Sequence, residues 1–234
     1  GLVGSEMCIR DRFKIPYLYG LTCGELALLL NGEKMLKDGK QCKLQVVKMK
    51  GWKRKMDYTQ TGLQWVPSSP HIPHPHSAFF YPVSGILGEL GYMSIGVGYT
   101  IPFQMFAATW VEAEKLAKSL NSLSVPGVIF RPMYLKPFYS VGKGELLQGV
   151  QVHIMDFSKA PLSEIQFLVM EKVAALYPER AVFDHADKGR FAMFDKVSGS
   201  KQIRERFSKR NRWEDIREYW YKDCLLYTSD AADD

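Results

Sequence analysis

Glu89 stands in Ser84-Gly85-Ile86-Leu87-Gly88-Glu89-Leu90-Gly91, a stretch with no other charge. Apolar surroundings penalise the ionised carboxylate and raise its pKa, which suits a general acid working near neutral pH. The same residue type also serves as a structural acceptor of backbone or arginine hydrogen bonds, and the residues alone leave both roles open. His71, His74 and His76 raise the question of a metal. Alternating prolines hold their run extended, so neighbouring rings diverge and no metal site is expected. A solvated proline-rich loop with His71 turned into a cleft is the reading instead. Gly96-Val97-Gly98-Tyr99-Thr100 has the outline of a phosphate loop but lacks the Walker lysine and the dinucleotide spacing. Its glycines are expected to let backbone approach a ligand or another part of the chain. Trp65, Tyr81, Tyr99, Phe103 and Trp110 either offer stacking faces to sugar rings or fill a core.

These candidates all fall between Trp65 and Trp110, a stretch rich in proline that shows no sustained helical or strand period. An irregular segment of this length inside a domain is functional or disordered. Its aromatic and aliphatic content excludes disorder, so it is read as the site-forming segment.

The elements that must position it lie on either side. Thr22 and Glu25 form a capping box, Leu21 is placed to staple onto Leu26, and Asn31-Gly32 supplies a left-handed stop. Lys43 to Met49 reads as a short apolar strand. Helix followed by strand is the pattern of a closing α/β layer. Beyond the segment, Thr109 and Glu112 form a second capping box, and Ala113, Leu116, Ala117 and Leu120 trace one helix face. Val128 to Tyr134 is a strand whose Pro132 argues for an edge or a bulge. From Gly149 to Met155, Val150, Val152 and Ile154 alternate with Gln151 and His153, which predicts a half-buried strand. A helix is predicted from Pro161 to before Pro178, then a loop-rich stretch from Phe183 to Ser200. A short helix over Lys201 to Lys209 follows, and a last one capped by Asn211 and Glu214. The second half therefore reads as a separate α+β domain.

Both ends are expected not to be native. Codons that can encode Met7-Cys8-Ile9-Arg10-Asp11, followed by an A, have a reverse complement that encodes Cys224-Leu225-Leu226-Tyr227-Thr228, and the shared DNA resembles a transposon-end sequencing adapter. Residues 1–12 and 224–234 are set aside on that ground. The remainder is then expected to be an internal fragment of a longer reading frame. Removing the ends takes away Arg10 and Arg12 but also Glu6, Asp11, Asp230, Asp233 and Asp234, so the basic excess, +6 over the whole chain, grows. The basic side chains are scattered, which suits either plain solubility or an anionic substrate or envelope polymer. A nucleic-acid partner is not expected, since no basic run interleaves with aromatics. The remaining cysteines, Cys23 and Cys42, give neither a disulfide framework nor a zinc pattern. No membrane span or export signal is visible.

A family emerges from the motifs taken together. Gly20-Leu21-Thr22 with Gly24-Glu25-Leu26-Ala27, Lys50-Gly51-Trp52-Lys53-Arg54, Trp65-Val66-Pro67-Ser68-Ser69-Pro70 and Tyr81-Pro82 occur in this order. Ser94-Ile95-Gly96-Val97-Gly98-Tyr99-Thr100, Pro102-Phe103, Pro126-Gly127-Val128, Phe130-Arg131-Pro132 and Gly149-Val150-Gln151-Val152-His153 continue it. The pattern resembles NamZ-type exo-β-N-acetylmuramidases across nearly all of residues 13–223. The resemblance implies an α/β and α+β protein: the closing part of a Rossmann-like domain with a connecting segment over 13–77, then a smaller α+β C-terminal domain over 78–223. It implies release of N-acetylmuramic acid from the non-reducing end of peptidoglycan fragments, without metal or organic cofactor, by a secreted or periplasmic enzyme. The implied partners are a muramic-acid-containing glycan or muropeptide and the missing N-terminal domain of the same chain. The family pattern implies Glu89 in the cleft as the catalytic group. Ser68, His71, Tyr99, Thr100 and Arg131 are the expected substrate contacts, with Arg131 or Arg54 suited to the lactyl carboxylate. Many members carry an arginine between the two glycines, where this chain has Val97. A glycosidase needs paired carboxylates, so another catalytic group is expected in the missing half, and the fragment alone is expected to be inactive. The competing expectation is a non-catalytic wall-glycan binding module.

Overall fold

Residues 17–18 and 20–222 are described by the computed structural model, so the expected adapter-derived ends, 1–12 and 224–234, lie outside the described residues. The chain divides into two units, one holding residues up to Trp65 together with Lys222, the other Val66–Tyr221. Their mixture of helices with one small antiparallel sheet gives the α/β and α+β class.

In the first unit, helix α1 (Cys23–Gly32) begins at the expected capping box. The Glu25 N–H donates to Thr22 Oγ1 at 3.2 Å, and the Thr22 N–H donates to Glu25 Oε2 at 2.7 Å. The stop differs from expectation. Gly32 stays helical and Lys34 takes the left-handed conformation, with the Met35 N–H donating back to the Leu30 carbonyl at 2.9 Å. Asn31 is used elsewhere: its side chain accepts from the Cys42 N–H at 2.8 Å and donates to the Cys42 carbonyl at 3.0 Å. Lys43 to Met49 is not a strand. Leu44 and Val46 do alternate inward, and Val46 packs where a Cβ on Gly24 would stand, but no ladder forms in this stretch. Alternation makes a segment extended; only a neighbouring strand makes it a sheet.

The second unit is organised around strands β1 (Met105–Ala108), β2 (Val128–Leu135) and β3 (Leu147–Ile154), antiparallel in the order β1-β3-β2. Register runs from Met105 opposite Gln151 to Ala108 opposite Gln148, and from Val128 opposite Ile154 to Leu135 opposite Leu147. Pro132 lies in an edge strand, as its missing N–H requires. Val150 and Val152 of the central strand are fully buried. Gly149 is needed there because a Cβ would stand 2.0 Å from the Phe106 carbonyl oxygen across the ladder. Helix α3 (Ala113–Asn121) covers the sheet with the expected stripe of Ala113, Leu116, Ala117 and Leu120. It has no side-chain cap; the Glu112 N–H donates to Tyr177 Oη at 2.9 Å instead.

Helix α2 (Ser77–Gly88) overturns the reading of 65–110 as irregular throughout. Eight of its residues are buried, Phe80, Val83, Ile86 and Leu87 among them. A helix apolar on every side has no amphipathic period to detect. Pro82 inside it adds a helix-breaking signal, since it removes one donor from the ladder. The fully buried Gln166 on α4 (Ile165–Leu176) inserts its amide there. Its Oε1 accepts the Leu87 N–H at 3.1 Å and its Nε2 donates to the Pro82 carbonyl at 3.0 Å. Gln166→Leu is expected to strand two buried backbone groups and cost about 1–3 kcal/mol in a denaturant melt; an unchanged midpoint would show that α2 closes its own ladder.

The remaining helices are α5 (Val182–His185), α6 (Phe191–Ser198), α7 (Lys201–Arg210) and α8 (Glu214–Tyr221). Phe183 to Ser200 is thus more helical than expected, because Phe183 and Phe194 anchor short turns in an aromatic core. Helix α4 starts at Ile165, four residues after Pro161, where the chain first turns a continuous apolar side inward. Asn211 ends α7 in the left-handed conformation and does not cap α8. No described helix is long and apolar enough to cross a membrane.

Candidate functional site

The end of α2 opens onto a cleft of about 240 Å³ within the second unit. One wall is α2 itself, with Tyr81, Gly85 and Gly88; Met93, Ser94, Ile95, Val97 and Phe103 form the floor, and His71, Ser140 and Val141 close the far side. Two larger hollows lie elsewhere, one of about 590 Å³ on the α7 and α8 surface and one of about 460 Å³ between α4 and the turn after α7. The acidic side chains that line them are each in an ion pair, Asp215 with Arg210, Glu171 with Arg212 and Glu205 with Lys201. The smaller cleft is the chemical candidate, because it holds a partly buried carboxyl group with no contact partner among the described residues.

That group is Glu89, the C-cap residue of α2. Among the described residues its carboxylate has neither a hydrogen bond nor an ion pair. Burial pushes the carboxyl above its ordinary value of 4.5, and the charge of Arg190 pulls it partly back. The negative end of the helix dipole acts in the same direction as burial. The structural role left open by the sequence, an acceptor of several hydrogen bonds, is not what the geometry presents.

Strained backbone surrounds this carboxylate. Phe103, a cleft residue, has φ of 68° and is held on both sides: its N–H donates to the Ile95 carbonyl at 2.7 Å and its carbonyl accepts from Ser84 Oγ at 2.9 Å. Its ring meets Tyr81 edge to face at 5.1 Å. Ser140, on the far wall, has φ of 67°. Non-glycine residues in this region persist only where surrounding bonds over-determine them, as they do at Phe103.

Of the expected contacts, the structure brings Glu89 and His71 together at the cleft. Tyr99 is elsewhere, packed with Ile101 and Met133 against Met105, Ala107, Leu135 and Leu147 on one face of the sheet. Thr100 and Ser68 are exposed and outside the cleft lining. Arg131 is exposed on edge strand β2, opposite Gln151. Arg54, in the first unit, pairs with Glu25 and donates to the Gly20 carbonyl. Arg131 does not line the cleft. His74 and His76 are exposed, and no metal-holding group of three His, Cys, Asp or Glu side chains occurs among the described residues.

Sequence reasoning missed Tyr139, Ser140 and Val141, which lie on the connection between β2 and β3. The available signal was length and composition: Lys136 to Leu146 is far longer than a hairpin turn and carries Pro137, Gly142 and Gly144. It also missed Arg190, whose guanidinium fills the space beside Gly91; a Cβ there would stand 3.1 Å from Nη1.

The chain resembles known proteins along most of its length. Residues 79–233 match the family described as exo-beta-N-acetylmuramidase NamZ, C-terminal, and residues 7–76 match its N-terminal counterpart. The peptidoglycan beta-N-acetylmuramidase NamZ of Bacillus subtilis (strain 168) is 37% identical over 204 residues, 87% of this chain and 47% of that protein. A crystal structure of a DUF1343 family protein from Bacteroides fragilis NCTC 9343 superposes with a TM-score of 0.90 at 82% identity, covering 92% of this chain and 56% of that one. The chain spans about half the length of the relatives it matches.

Proposed function

This chain belongs to the NamZ exo-β-N-acetylmuramidase family, and from that premise we propose that it is part of a glycosidase that releases N-acetylmuramic acid from the non-reducing end of peptidoglycan fragments. The observation that carries the reading is Glu89: an unpaired, half-buried carboxyl group, its pKa raised by burial, in a cleft lined by Tyr81 and Phe103. Protonated, it gives its proton to the glycosidic oxygen as the C–O bond breaks, so the departing sugar leaves as a neutral alcohol. The aromatic walls offer apolar faces to the sugar ring.

Among the described residues, Glu89 is the single carboxylate lining the cleft, whereas most glycosidases use two. We therefore assign the second to the part of the relatives that this chain does not span, and expect the chain alone not to turn substrate over. A role in cell-wall turnover or recycling, in a secreted or periplasmic setting, follows from the same reading. The test is mass-spectrometric detection of free N-acetylmuramic acid from purified muropeptides, comparing this chain with a protein extended to its relatives' length. Release by the longer protein alone is the expected result. Glycan retained without release by both would favour a wall-glycan binding module, a reading that the lone carboxylate also fits.

A further inference from the structure

His71 and Tyr139 meet at the edge of the cleft, with Nδ1 and Oη 2.8 Å apart and ring centroids at 5.9 Å. Both partners are fixed by their own backbones. The His71 N–H donates to Ser69 Oγ at 3.2 Å, and the Ile72 N–H donates to the Ser69 carbonyl at 2.9 Å, closing a turn over Pro70. On the other side the Phe138 N–H donates to the Gly98 carbonyl at 3.0 Å, and the Tyr139 carbonyl lies so close to Gly98 that no side chain fits between them. The Gly144 N–H, donating to the Pro137 carbonyl at 2.8 Å, closes the loop behind it. Of the two glycines that looked like a phosphate loop, Gly98 therefore serves to seat the tyrosine, while Gly96 lies against the Ile101 carbonyl.

We propose that Tyr139 is a positioning residue for His71, whose phenol donates to Nδ1 and keeps the ring proton on Nε2. A neutral imidazole has one N–H and one lone pair, and the partner of one nitrogen decides the state of the other. The phenol is the donor in this pair because its oxygen lone pairs are delocalised into its ring, while the imidazole lone pair lies free in the ring plane. Nε2 lies across the ring from this bond, and His71 lines the cleft. His71 thus presents a fixed N–H donor to a sugar hydroxyl or acetamido carbonyl. This use of the donor rests on the glycan reading above; the tautomer does not.

Nitrogen-15 NMR of His71 in this chain, with Tyr139→Phe as the comparison, tests the lock directly. Phenylalanine keeps the ring that packs 5.2 Å from Phe138 and removes only the hydroxyl. The expected spectrum has a protonated Nε2 and an unprotonated Nδ1, moving toward a mixture of tautomers in the variant. A proton on Nδ1, or identical spectra, overturns the proposal. Titration with a muramic-acid-containing glycan should shift Nε2, and Tyr139→Phe should weaken binding by about fivefold, the worth of one neutral hydrogen bond. Undiminished affinity in the variant overturns the donor role. A locked tautomer with no response to any glycan, in this chain and in a protein extended to its relatives' length, would instead sink the proposed function while the lock stands.

Discussion

Glu89→Gln is expected to lower turnover by about 10²–10⁴-fold in a protein that releases N-acetylmuramic acid, with little change in KM. The amide keeps the shape of the acid but has no proton to give. The same substitution is expected to stabilise the fold at neutral pH, and this second effect identifies the role. Because burial raises the folded pKa above 4.5, the stability contributed by the Glu89 proton is fully present below 4.5. It is lost as pH rises through the folded value, since the unfolded chain ionises freely while the folded one resists. Glutamine has no such slope. Thermal melts of the two proteins should therefore agree at about pH 4 and separate at about pH 8, with the glutamine variant melting higher. A variant that melts lower at the higher pH would mean that the carboxylate is a structural acceptor, and the acid role would fall with it.

Gly98→Ala should be the most damaging single methyl group in the second unit. Gly98 has φ of 93°, and a Cβ would stand 1.9 Å from the Tyr139 carbonyl oxygen and 2.7 Å from its carbon. Both obstacles are backbone, so neither can swing aside. The conformation alone costs about 1–3 kcal/mol, and displacing the loop adds the bond from Phe138. Gly144→Ala separates the two causes, because Gly144 has φ of 77° with nothing within 4 Å of the added carbon. It should show the conformational cost alone. Denaturant melts of both variants provide the comparison. The Gly98 variant should also lose the fixed His71 tautomer, whereas the Gly144 variant should keep it. Equal losses of stability would mean that the close approach of the loop to Gly98 is unimportant.

Neither result could have been reached from spacing alone. Glu89 was legible because its neutral surroundings are written in the eight residues about it, and desolvation needs little more than that. Gly98 was legible as a close approach, but its neighbour was not: the Tyr139 loop arrives from beyond β2. Tyr99 and Arg131 lie away from the cleft. Their residue types suit sugar stacking and carboxylate binding, yet Tyr99 covers the sheet and Arg131 points from an edge strand. Residue type carries no information about which side of a sheet faces a cleft.

What the sequence by itself determined is everything with a local period or a local cap. The Thr22–Glu25 box arises because the first N–H groups of a helix need acceptors close by in the chain, and the stripe on α3 and the alternation in β3 arise because one face is buried more deeply than the other, a contrast that repeats within a few residues. The tertiary structure alone decided what lacks such a contrast or spans the chain. Helix α2 is apolar all round, with Phe79 and Tyr81 exposed and eight other residues buried, and Gln166, 79 residues beyond Leu87, takes part in its ladder. His71 acquires its partner 68 residues away. Lys43 to Met49 alternates correctly and still forms no ladder, because pairing belongs to two strands and periodicity to one.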